Sequence, residues 1–249
     1  MIAVLRNAAL SYRALFTWLN PIGYISSRLV RPVGMAIVFT SIGSFYSTDT
    51  SRVLIGSSLL AGVGAVLYGM ALSVGNERSF GTLRIWLATP EQKLAAVCRR
   101  AIPHIADGYL GGLCTYLVCC ALYRSWPIGI VPFMGVLALA MVGACGLGLF
   151  LGALAFVVED LFLGPNAAEL VLMVLSGVLI PPQRLPGFLQ PLTEIVPLSH
   201  LMGAVGKHLT GEGWDSRLLL LEAVTGFVWI LVASLLMFVT VRRAAHRVE

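Results

Sequence analysis

From Asn76 to Arg100 the chain reads NERSFGTLRIWLATPEQKLAAVCRR, its one long charged island between hydrophobic blocks. The island holds Arg78, Arg84, Lys93, Arg99 and Arg100, five of the 17 basic residues. The apolar blocks on both sides are long enough to cross a bilayer, which takes about 20 residues. A charged stretch so placed is a loop at one membrane face, and its sign says which face. Only 12% of the residues are charged and 58% are hydrophobic. A soluble domain carries about 25% charged residues, so this chain cannot cover itself with a polar surface. The fold class it predicts is an all-α integral membrane protein.

Two short helices are predicted inside the island. Phe80, Leu83 and Leu87 fall at i, i+3 and i+7 and share a helical face. Trp86 flanks that face, and an indole suits a membrane interface. Thr89-Pro90-Glu91-Gln92 reads as a helix start, with a capping hydroxyl, proline at the first helical position and Gln92 returning a bond. Gly81 inside the first helix would cost about 1 kcal/mol relative to alanine, so a close packing contact is expected there.

The chain divides into an interfacial segment and six spans, read as one transmembrane domain over 1–249. In residues 1–18, Ile2, Leu5, Ala9, Tyr12 and Phe16 form a stripe with Arg6 and Arg13 off it, which predicts an amphipathic helix in the interface plane. The predicted spans are 24–46, 53–74, 102–122, 130–158, 166–180 and 218–241. Arg28 and Arg31 at the start of the first can snorkel to headgroups. The fourth is long enough to tilt, or to bend near Pro132. Gly62, Gly64 and Gly69, the pair Gly108 and Gly112, and the pair Gly148 and Gly152 offer close helix contacts. Region 183–215 is too polar and proline-rich for a span. Leu198, Leu201, Met202, Val205 and Leu209 share a face there, opposite His200, Lys207 and His208, which predicts short helices dipping into the outer interface.

Basic residues set the orientation. With the N-terminus inside, the inner segments hold twelve Lys and Arg and the outer ones five. Both termini are therefore expected in the cytoplasm, although the inner segment from Glu159 to Pro165 has no base. The net charge of +5 lies in loops between spans, as a topology signal does, and does not point to nucleic acid. Cys98, Cys114, Cys119, Cys120 and Cys145 form no paired CxxC motif and read as small thiols, not metal ligands or disulfides. No cleaved signal segment is expected.

Glu77-Arg78-x-x-Gly81-Thr82-Leu83, followed by Leu87-Ala88-Thr89-Pro90, resembles the loop after the second membrane helix of type-2 permeases. These are the membrane subunits of ATP-binding cassette exporters, known as the ABC-2 family. The segment LIPPQRLPGFLQPLTEIVPLSHLMGAV resembles the re-entrant region the same family has between spans five and six. The resemblance implies an elbow helix before span one, and a coupling helix that docks on a separate cytoplasmic ATPase. It implies a complex of two permease copies or paralogues with two ATPases, in the inner membrane. Glu77, Arg78, Gly81, Thr82, Leu83, Thr89 and Pro90 become the expected coupling residues. It also implies an apolar substrate surface on spans one, two and five, with a drug, an antibiotic or a lipid-linked molecule as cargo. The plainer reading of the island is an ordinary positive-inside loop, in which Glu77 and Arg78 pair at the surface for about 0–1 kcal/mol.

No Walker A pattern, HExxH or nucleophile elbow occurs, so the chain is expected to be no enzyme and to need no cofactor. Any ATP and Mg would sit on the partner. Asp107, Glu169 and Glu222 lie in or near spans, where a charge costs about 3 kcal/mol. They are candidates for a substrate path or gate, or else sit in a hydrated interface. His200 and His208 are candidate gating groups by the same logic, or plain polar-face residues. Glu159-Asp160 either meets the ATPase or caps the next helix. The rival classes are an ion-coupled secondary transporter, which would show inverted repeats and mid-membrane ion sites, and a membrane assembly subunit without transport.

Overall fold

The computed structural model describes residues 21–46, 49–90, 92–158 and 160–246. The predicted interfacial helix at 1–18 lies outside the described residues. So do Glu91, Glu159 and Arg247.

Every regular element among the described residues is helical. The described part begins with α1 (Pro21–Ile25), continues through a π-helical turn (Ser26–Val30) and enters α2 (Arg31–Phe45) without a break. Then come α3 (Thr50–Ser79), α4 (Leu83–Ala88), α5 (Lys93–Tyr123) and α6 (Ile130–Leu154). α7 (Leu163–Leu175) is followed by a 3₁₀ turn (Pro182–Arg184), α8 (Gln190–Thr193), α9 (Ser199–Leu209) and α10 (Ser216–His246). Among the described residues four helices, α3, α5, α6 and α10, are long and apolar enough to cross a membrane. α7 is apolar but shorter, with 13 residues.

The architecture is built around α3. In its most apolar stretch 83% of the residues are buried, against 22% for α10. α2, α5, α6, α7 and α9 all pack on α3, and α10 packs on the far side of α6. This order follows from where small residues fall. A Cβ at Gly62 would sit 2.7 Å from the Gly108 carbonyl oxygen, and one at Gly108 2.5 Å from that of Gly62. Only glycine at both positions lets the α3 and α5 backbones touch. The α6–α10 crossing is made the same way, with a Cβ at Gly146 lying 2.9 Å from the Gly226 carbonyl. The outward sides of α10 carry Leu220, Phe227, Leu231, Leu235 and Phe238, all exposed, as a lipid-facing surface requires.

Several boundaries move. α3 starts at Thr50, because the Asp49 carboxylate accepts the Arg52 N–H (3.1 Å) at its first turn, and it runs on to Ser79. Glu77 and Arg78 therefore belong to its last turn and not to a loop. α5 starts at Lys93, so the second short helix expected in the island is the beginning of the third span. α6 is one helix with Pro132 in its first turn, where proline removes no bond. α7 stops five residues before Ile180, and Gly177 takes φ +77° in the irregular stretch between.

Candidate functional site

At the end of α3 the chain turns sharply. Phe80 N–H donates to the Asn76 carbonyl (2.9 Å) and Gly81 N–H to that of Arg78 (3.0 Å). Gly81 has φ +70°, and nothing lies within 4 Å of where its Cβ would be. The expected close contact is absent. Glycine serves here as a left-handed helix stop, not as a packing notch. The stop also separates Phe80 from the α4 face it was expected to share. Phe80 is exposed, while Leu83 and Leu87 pack against the core.

Thr89 is the other correction. It does not start a helix: its backbone is extended at the end of α4, and its hydroxyl donates to the Trp86 carbonyl (2.7 Å). Gln92 occupies the cap position of α5 without a side-chain bond. Lys93 Nζ donates to the carbonyls of Trp86 and Thr89 (both 2.7 Å) and approaches the Thr89 hydroxyl (2.8 Å), so an ammonium satisfies the carbonyl end of α4. Pro90 is exposed in the link between the two helices.

Glu77 joins the parts. Its Oε1 accepts from the Arg100 guanidinium (2.8 Å), and its Oε2 accepts from the Thr82 hydroxyl (2.5 Å). Arg100 also donates to the Ser73 carbonyl (2.7 Å), one turn back on α3. Arg100 thus clasps the ends of α3 and α5, and Thr82 ties α4 to the clasp. Trp86 is the packing centre: buried, stacked on Phe156 (ring centres 5.6 Å apart), with Arg100 and Lys93 5.3 and 5.2 Å from its own centre. Arg78 reaches the Val158 carbonyl beyond α6 (3.3 Å). The outward side of α4 is left with Ile85, 70% exposed, and Arg84, and Phe80 in the turn before it is 66% exposed.

The remaining candidates do not gather into one place. Asp107 is half-buried on α5. Glu169 on α7 accepts from the Tyr68 hydroxyl of α3 (3.0 Å). Glu222 on α10 is fully buried, its two oxygens accepting the N–H groups of Leu198 (2.7 Å) and Leu201 (3.2 Å) at the start of α9. It acts as a cap supplied by another helix. His200 is buried and not on the polar face: its Nε2 lies 3.1 Å from the Glu194 carbonyl. His208 stacks on Trp214. Asp160 accepts from Phe162 and Leu163 N–H (2.9 and 3.3 Å), so it caps α7. Across the turn after α9, the hydrogen bond to Asp215 (2.7 Å) raises the Lys207 ammonium above its ordinary range, and the same bond holds the Asp215 carboxyl below its own. Among the described residues no cluster of His, Cys, Asp and Glu can hold a metal ion.

Apolar helices of membrane length, packed round one buried helix and joined at one end by a short braced helix, define a membrane-embedded protein. The ABC-2 type transporter family matches residues 7–207, most of the chain, and the chain belongs to that family. It is therefore the membrane-spanning permease subunit of an ATP-binding cassette transporter, whose partner is an ATP-binding cassette ATPase subunit. A comparison with curated proteins found no match.

Proposed function

We propose that this permease exports a hydrophobic or amphiphilic molecule, a drug, an antibiotic or a lipid-linked compound, and that α4 is the lever through which ATP hydrolysis on the partner moves it. The observation that carries this reading is the outward side of α4. Arg84 and Ile85 stand exposed on a helix whose inner side is fixed by Trp86, Arg100 and Glu77, and Phe80 stands exposed in the turn just before it. A fixed apolar ridge beside a cation is what a docking surface for a soluble motor needs. The chain hydrolyses nothing itself; ATP and Mg belong to the ATPase. Six crossings follow if the helical run Pro21–Phe45 and the short α7 span with the long four, α8 and α9 dipping into the outer face. Both termini then lie in the cytoplasm of an inner membrane, and the complex pairs two permeases with two ATPases.

The test is a cysteine at Ile85 in a Cys98→Ser background, since Cys98 is itself exposed. Crosslinking to the ATPase and protection from impermeant thiol reagents in intact cells are expected. An active complex without the crosslink, or labelling of the cysteine from outside, would overturn the reading. Vanadate-sensitive transport in vesicles separates it from ion-coupled transport.

A further inference from the structure

The connection from α6 to α7 is held against α4 and the end of α3 by separate contacts. Phe156, buried, stacks on Trp86 of α4 with the ring planes 18° apart. The Val158 carbonyl accepts from Arg78 on the last turn of α3 (3.3 Å). Leu161 lies in a notch that Gly75 leaves on α3. A Cβ there would stand 3.1 Å from Leu161 Cγ and 3.2 Å from its Cδ1. A ring stack, a hydrogen bond and a notch thus tie one connection to both α4 and α3. The peptide chain alone would suffice to join α6 to α7, so these contacts do something more than connect.

Asp160 makes the far side of the connection stiff. Its Oδ1 accepts the N–H groups of Phe162 (2.9 Å) and Leu163 (3.3 Å) where α7 begins. A displacement of Leu161 therefore reaches the helix start without slack. α6 resists such a displacement, because it packs along both α3 and α10 and is mostly buried. α7 does not. Its buried residues are Pro165 near one end and Leu172 and Leu175 near the other. Between them the Tyr68 hydroxyl reaches Asn166 Oδ1 (2.5 Å) and Glu169 Oε2 (3.0 Å). A rod about 20 Å long, gripped at its ends and pinned near one point, turns as a body when one end is pushed. Helix shifts of about 1–2 Å are the ordinary size of such steps.

We infer that Phe156, Leu161 and Asp160 are positioning residues of the transport step. They carry the movement of α4 to the inner end of α7 without passing it through the packed body of α3. The inference rests on the reading of α4 as the lever. It adds which helix the lever reaches directly and which side chains make the transfer: Trp86 to Phe156 by ring contact, Leu161 along the Gly75 notch, and Asp160 to the first N–H groups of α7.

The test uses the complex with its ATPase in vesicles. A nitroxide is attached through Ala167→Cys, at an exposed position of α7, in a transport-active chain whose five native cysteines are replaced by alanine. Its spectrum is read without nucleotide and after trapping with ATP and vanadate. Trapping is expected to change the spectrum. Asp160→Ala, at an exposed site, and Phe156→Leu, which keeps apolar bulk but not the stack, should abolish that change while the nucleotide-free spectrum stays as it was. ATP hydrolysis should stay within about twofold while transport per ATP falls by about fivefold or more. Asp160→Asn, which keeps an acceptor for the helix start, and Phe156→Tyr, which keeps the ring, should retain the response and the transport. A response that survives Asp160→Ala or Phe156→Leu overturns the inference. So does loss of the Ile85 crosslink to the ATPase in these variants, which would place the defect in docking. A chain that crosslinks at Ile85 and transports, but whose Ala167 label never responds, overturns this inference and leaves the reading of α4 standing. A missing crosslink in the active complex overturns that reading itself.

Discussion

Gly81 and Glu222 show what a single residue contributes here. Gly81 ends α3 with φ +70° in open space, so the whole cost of a side chain is conformational. Gly81→Ala should lower stability by about 1 kcal/mol and Gly81→Asn by less, since asparagine tolerates the left-handed region. Thermal unfolding of the detergent-solubilised protein checks the order; equal losses would show that packing matters after all. Glu222 is different, because it holds two N–H donors of another element. Glu222→Ala leaves both buried without an acceptor and should cost about 2–3 kcal/mol. Glu222→Gln keeps one acceptor oxygen and should cost about half as much. Trypsin cleavage at Lys207, on α9, should speed up in the same order. In the sequence both residues stood out for the right reason, a glycine in a helix and an acid in a span, but their roles were illegible. A left-handed stop and an in-helix glycine look alike along the chain. The partner of Glu222 lies more than twenty residues away, in a helix start that no local pattern marks.

Between elements, the legible part was the small residues. Gly108 and Gly112 stand at small-xxx-small spacing on α5, and the structure puts Gly108 against Gly62. The crossing of α6 on α10 through Gly143, Gly146 and Gly226 was not legible, because nothing in either helix names its partner. Substitution separates contact glycines from idle ones. Gly108→Ala brings a methyl within 2.5 Å of a backbone oxygen and 2.9 Å of Val66 Cγ2, so the helices must part, at about 1–3 kcal/mol. Gly135 on α6 has nothing within 4 Å of its Cβ position. Gly135→Ala should be neutral or stabilise by up to about 1 kcal/mol through helix propensity. If the two alanines shift the melting temperature equally, the crossing is not a backbone contact. Element ends were the least legible feature. Thr89-Pro90 carries every mark of a helix start, yet Lys93 captures the carbonyls just before it and turns the segment into the end of α4.

At the scale of the whole molecule, the proposed role of α4 requires that a push on a six-residue helix reach a bundle. α4 packs Leu83, Trp86 and Leu87 on the core, and the clasp connects it to the most buried helix. Thr82 bonds Glu77, Glu77 pairs with Arg100, and Arg100 holds the Ser73 carbonyl inside α3. The side chains of the pair are 16% and 20% exposed. Water screens it only in part, and it acts as a stiff joint more than as a source of stability. Removing its charge should cost only about 1 kcal/mol of folding free energy. Its effect on transmission should be larger, because α3 carries α2, α5, α6 and α7 with it. Coupling free energies between sites run to about 1–3 kcal/mol, or about 5–150-fold. In the complex with its ATPase, Glu77→Gln should leave ATP hydrolysis within about twofold while transport per ATP falls about tenfold. Arg100→Lys, which retains the charge but not the fork that spans Glu77 and Ser73, should fall between. Measuring both rates in the same vesicles decides it. If hydrolysis and transport decline together, the clasp supports assembly of the complex, and the push enters the bundle by another route.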